Sequence, residues 1–164
     1  MTQDKHTKTA ARVAEKNAPV AIRVAVALWC TALAAGMAET VLGAAGELSD
    51  PNSGMGILPV TLIIGVRLLV TVVFGCIVVA LLHGRGWSRV VLAVLLGGIG
   101  TATLIYGPIT QLVQGEPLAT ALGISDAESL VFFLVRALHL TAVLGALVTM
   151  FLPSATRFLR NNER

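Results

Sequence analysis

Four ionisable residues stand inside otherwise apolar stretches of this sequence: Glu39, Arg67, Arg136 and His139. An arginine at the centre of a hydrocarbon layer costs about 2.5–3.5 kcal/mol on insertion scales, so each such residue calls for a partner or a task. Arg67 follows the start of its apolar run at Ile57 by ten residues, and Arg136 follows Asp126 by ten. On helices, both positions fall about 15 Å from the same end. Glu39 is the only carboxylate inside the first run, near its outer end. Long arginine side chains can climb toward it, which predicts a charge cluster in the outer half of the molecule. His139, about one turn from Arg136, extends that cluster inward. Such a group can hold an anion or a lipid headgroup, or pass a proton. The competing role is structural, with one ion pair locking helices together or arginines snorkelling to headgroups.

The elements that must carry these residues follow from composition. Of the 164 residues, 55% are apolar and 13% charged, against about 25% charged in an ordinary soluble domain. Four runs are long enough to cross a ~30 Å hydrocarbon layer as helices: 19–42, 57–82, 90–113 and 129–152. None alternates in and out as a membrane strand does, and a spanning helix satisfies its own backbone. The expected fold is therefore an all-α, integral membrane four-helix bundle forming one domain, 19–152, between basic tails 1–18 and 153–164. Pro19 and Pro59 suit first turns. Ser125 and Glu128 have capping-box spacing before the fourth helix, and Pro153 is expected to stop it. Gly107-Pro108 is expected to kink or end the third. The tail is polar and basic, with a helical tendency over 10–16 and cations suited to an anionic leaflet, and is expected as a disordered segment that orients the chain.

Ten of the twelve Lys and Arg lie in the tails, at the start of the first helix or in the second connection. The first and third connections carry only acids, Glu47, Asp50, Glu116, Asp126 and Glu128. By the positive-inside rule both termini are expected in the cytoplasm. A cleaved secretory signal, for which Gly36-Met-Ala38 loosely imitates a cleavage site, is not expected because the run stays apolar through Leu42. Small residues recur every four positions at Ala27, Thr31 and Ala35 and again at Ala93, Gly97 and Thr101, so the first and third helices are expected to approach there. The match of Arg23-Val24 with Arg89-Val90, and of Val66-Arg67 with Val135-Arg136, is compatible with two tandem helical hairpins.

Several chemistries find no residues to carry them. Cys30 and Cys76 stand alone, without a C-x-x-C pair, and are expected as buried free thiols. One histidine well inside a span cannot supply a bis-histidine haem site. No phosphate loop, nucleophile elbow or zinc helix is present. The expectation is a protein with no metal, no cofactor, no nucleic-acid partner and no enzymatic activity.

The basic tail, the Ala/Val-rich first helix, the turn Gly84-Arg-Gly-Trp-Ser-Arg89 and the ending Leu152-Pro-Ser-Ala-Thr-Arg157 resemble the small uncharacterised four-helix integral membrane proteins of actinobacteria. The resemblance implies a bacterial plasma membrane and no assigned activity. The expected role is an interaction or accessory subunit of a membrane assembly, its partners being the lipid bilayer and either copies of itself or other membrane subunits. The alternative is a small oligomeric transporter or channel that uses the Glu/Arg cluster.

Overall fold

The computed structural model describes residues 18–49 and 56–162. Residues 1–17 of the basic tail, and with them the readings made of it, lie outside the described residues. Four helices among them are long and apolar enough to cross a membrane: α1 (Val20–Ser49), α2 (Ile57–Leu82), α3 (Gly86–Val113) and α5 (Ala127–Met150). A short α4 (Leu118–Ala121) leads into α5, and α6 (Pro153–Asn162) follows it. There is no strand among the described residues. The chain is an all-α bundle, compatible with a multi-pass membrane protein.

The helix ends show where local rules decided. α1 runs seven residues past Leu42, because Gly43 and Gly46 lower helix stability without blocking a hydrogen bond. α3 passes through Pro108 to Val113 rather than ending at Tyr106. Its middle, Leu92–Gly100, winds in wide π turns, in a stretch where three of the last four residues are glycine. The capping box of α5 is one residue later than expected. Asp126, not Ser125, is the N-cap: its extended backbone lets the carboxylate accept from Ser129 N–H at 2.8 Å, while the Ser129 hydroxyl accepts from Asp126 N–H at 2.9 Å. Two backbone N–H bonds of this kind satisfy orphan donors of the first turn. Pro153 does not stop α5, which ends at Met150; it opens α6 at a position where a missing N–H costs nothing.

α1 packs chiefly along α5 and next along α2. Its buried face is Ile22, Ala25, Trp29, Ala32, Ala35 and Gly36. Ala27 and Thr31 lie on the exposed face, with the Thr31 hydroxyl bonded back to Ala27 O. The close approach expected between α1 and α3 through Ala27, Thr31 and Ala35 is thus replaced by one between α1 and α5. There Leu28 lies against Gly145, leaving an added Cβ only 3.1 Å. Gly97 of α3 likewise faces α5, at Leu147. Ala93 and Thr101 flank it half-buried. Cys30 and Cys76 are exposed on the outside of the bundle, not buried, each on a helix face that no other helix covers.

The apolar core gathers at the end of the bundle that carries the described termini. Trp29, Leu81, Leu92, Val143, Met150 and Leu159 meet there. α6 closes this end by turning Ala155 and Leu159 inward and Arg157 and Arg160 outward. Arg89 holds it, donating to the Thr156 hydroxyl at 3.0 Å and lying 4.9 Å over the Phe151 ring. Buried Gly84, at φ +80°, is favoured by the same geometry, since a Cβ would stand 2.5 Å from Asn162 Nδ2 and 2.9 Å from its Cβ and Cγ on a backbone that other residues rarely adopt. The opposite, loop-bearing half is less filled, and the charged residues lie in it.

Candidate functional site

Extension of α1 to Ser49 changes the depth of Glu39. It stands ten residues, about 15 Å, below the end of its helix, level with Arg67 in α2 and close to the level of Arg136 in α5. Three helices therefore deliver ionisable groups to one layer. Glu39 Oε1 lies 2.8 Å from His139 Nδ1. With the carboxylate ionised, Nδ1–H is the donor. Glu39 Oε2 lies 3.7 Å from Arg136 Nε, an ion pair longer than a hydrogen bond. The Arg136 guanidinium also sits 4.8 Å over the Phe132 ring, one turn earlier on α5.

Arg67 does not join Glu39. Its Nε donates to Gly36 O in the middle of α1 at 3.2 Å, an oxygen that also accepts from the Thr40 hydroxyl at 3.0 Å. Absence of a side chain at Gly36 makes this possible. A Cβ there would collide with Nη2 of Arg67 and come within 2.9 Å of its Cζ and 3.1 Å of His139 Cε1. No carboxylate partner for Arg67 is present among the described residues.

These groups line a cavity of roughly 340 Å³ to which α1, α2, α3 and α5 all contribute. Two guanidiniums and one carboxylate leave at least one positive charge unbalanced in it, and a protonated His139 would add another. Elsewhere the wall is largely apolar, with Leu33, Val70, Leu96, Leu104, Phe132 and Val143. Trp29 also lines it, fully buried, with its indole N–H lacking a partner among the described residues. Arg136 is 32% exposed, so the cavity is not sealed from the outside of the bundle. Glu39 and His139 offer two potential metal ligands, and no third His, Cys, Asp or Glu joins them among the described residues.

No protein-family model, curated protein or solved structure matches this chain. The arrangement must be read from its own chemistry. Fixed donors outnumber acceptors among the described residues: Glu39 is engaged by His139 and Arg136, whereas the terminal nitrogens of Arg67 make no hydrogen bond and the buried indole N–H of Trp29 has no partner there. Such a site can receive an oxyanion. The sequence pointed to the four ionisable residues but not to Gly36 or Trp29. Gly36 carried a signal, a lone glycine amid strong helix formers, that is intelligible only once Arg67 is seen lying across it.

Proposed function

We propose that this chain is a non-catalytic, multi-pass membrane protein whose bundle binds an anion at Arg67 and Arg136. The observation that supports it most directly is the Arg67 guanidinium, held within the span by a neutral carbonyl and without a counter-charge among the described residues. Burying a cation in a low-dielectric medium is costly, and an oxyanion would offset that cost. Glu39 is positioned to orient Arg136 and His139 rather than to neutralise both arginines. This reading favours a binding or transport role over that of a purely structural subunit.

The proposed setting is a bacterial plasma membrane with both termini in the cytoplasm. Arg23, Arg85, Arg89, Arg157 and Arg160 cluster at the termini-bearing end, and Glu47, Glu116, Asp126 and Glu128 at the other, which supports that orientation.

The test is a calorimetric titration of the purified protein in uncharged-detergent micelles with butyrate and with inorganic phosphate. Saturable binding is expected, weakened at least about tenfold by Arg67→Gln, since a hydrogen bond to a charged group contributes about 1.5–3 kcal/mol. Replacing Arg157 and Arg160 by Gln should leave it unchanged. Heat that is absent for both anions, or that vanishes only with the Arg157/Arg160 variant, would refute the reading. A second reading, an accessory subunit, draws on the broad apolar faces of α2 and α3, where Leu62, Leu69, Val94 and Ile99 are uncovered. It would gain support from a stoichiometric second protein retained through mild-detergent purification.

A further inference from the structure

We infer that the occupant of the cavity is an amphiphile: a singly charged oxyanion head held by Arg67 and Arg136, with an apolar chain lying toward Trp29. This rests on the anion-binding reading and goes further, because it fixes the shape and class of the ligand. Trp29 and Gly36 are seven residues apart on α1, two turns on one face, so they are about 10 Å apart along the helix. Both line the same cavity, which therefore extends along the bundle well beyond the arginines. A bare inorganic ion would occupy only its charged end. At roughly 340 Å³ the cavity falls within the range of small-molecule sites, which begins near 300 Å³.

The lining changes character along that length. Arg67, Arg136, Glu39 and His139 stand at one level, while Leu33, Val70 and Val143 stand between them and Trp29. An apolar chain removes that surface from contact with water, and a carboxylate or phosphodiester pairs with the terminal nitrogens of Arg67. One net positive charge matches one negative head. The partial exposure of Arg136 brings the charged level to the bundle surface part-way along four apolar helices, where in the proposed membrane setting the surroundings are lipid rather than water. A ligand that arrives from the membrane phase carries its own chain. Trp29, whose buried indole N–H has no partner among the described residues, stands at the far end, where an ester carbonyl on that chain would supply an acceptor. A free long-chain carboxylic acid and an acidic glycerophospholipid share the head-and-chain chemistry, and only the second brings the ester.

Trp29 can report its own occupant. Trp87, the only other tryptophan, is exposed at the termini-bearing end, so Trp87→Phe leaves Trp29 as the sole tryptophan, excited selectively at a wavelength where Tyr106 does not absorb. The protein in uncharged-detergent micelles is titrated with long-chain carboxylic acids brominated at different positions, and with a phosphatidylglycerol brominated on one chain. Saturable quenching is expected, strongest when the bromine lies about 10 Å from the carboxylate, the length of two helical turns. Arg67→Gln and, independently, Arg136→Gln should weaken it at least tenfold, so one poorly folding variant does not decide the matter. Preference for the phospholipid identifies the ester-bearing source, and preference for the free acid identifies the other. Equal affinity for butyrate and for the long chains would overturn the amphiphile while leaving anion binding intact. Quenching indifferent to both arginine substitutions would be partition into the micelle and would overturn it as well. Absence of saturable binding by any of these anions would remove the anion-binding reading itself.

Discussion

Gly36→Ala is the most informative single-atom change in this protein. The added Cβ occupies space held by the Arg67 guanidinium and comes within 3.1 Å of His139 Cε1. Arg67 is flexible, so it yields, and its bond to Gly36 O is lost. That bond contributes about 1.5–3 kcal/mol by the usual scale for charged partners, or nearer 0.6–1.7 kcal/mol by measurements between membrane helices. Against it stands the gain from replacing a mid-helix glycine, about 0.5–1 kcal/mol. Gly43→Ala supplies the control, because nothing lies within 4 Å of a Cβ at that position of the same helix. Gly43→Ala should therefore stabilise by about 0.5–1 kcal/mol, and Gly36→Ala should fall about 1–2 kcal/mol below it. Reversible unfolding of both variants in mixed micelles measures the difference. Anion affinity should fall about tenfold in Gly36→Ala alone, as the guanidinium leaves its fixed position. Equal stabilisation by the two substitutions, with affinity retained in both, would refute the placement of Arg67 across α1.

Other expectations bear on separate parts of the structure. Glu39→Leu leaves His139 and Arg136 without their acceptor and should sharply reduce the yield of folded protein, whereas Glu39→Leu combined with Arg136→Leu and His139→Leu should recover much of it; membrane-fraction yield checks both. Trp29→Phe removes a hydrogen-bond donor that has no partner among the described residues, so its thermal stability should change only through packing, by less than a truncation to alanine, while affinity for an ester-bearing chain falls. The Asp126 carboxyl is held below its ordinary value of 3.8, first by the Ser129 backbone N–H and then by the Ser129 side chain. A depressed carboxyl stabilises above its unfolded value and loses that contribution as pH falls through the lowered one. The protection of the Ser129 amide, measured against its intrinsic exchange rate at each pH, should thus fall only in acid, and Asp126→Asn should remove that pH dependence. Cys30 and Cys76, though exposed on the bundle surface, should resist charged thiol reagents in a bilayer and react after denaturation, because a charged reagent does not enter the hydrocarbon layer around them.

The bundle was legible because length and hydropathy alone require it: four runs of about twenty apolar residues leave a chain few other solutions. Boundaries were less legible. Glycines at 43 and 46 and the proline at 108 weaken a helix without ending it when no polar stretch takes over, and α1 and α3 both continue past them. Glu39 consequently lies deeper than its apparent position near a helix end. The ionisable layer could be anticipated from equal spacing to helix ends, but not its pairing. Arg67 and Arg136 look alike in sequence, yet one meets Glu39 and the other a backbone carbonyl, a choice made by the empty face of Gly36. The small-residue stripes misled for a related reason. Ala and Gly are so frequent that several stripes fit, and the one used, Ala25, Ala32 and Ala35, is selected by the partner helix α5 rather than by α1 itself.

The measurement that most directly tests anion binding at Arg67 is the nitrogen-15 guanidinium spectrum of the protein in uncharged-detergent micelles, titrated with a long-chain carboxylate. Nine arginines contribute signals, and Arg67→Lys assigns the one that matters. The expected result is a saturable shift of the terminal nitrogens of Arg67 and Arg136, with Nε of Arg67 nearly unmoved on Gly36 O. Shifts confined to the exposed Arg23, Arg85, Arg157 and Arg160 would contradict it.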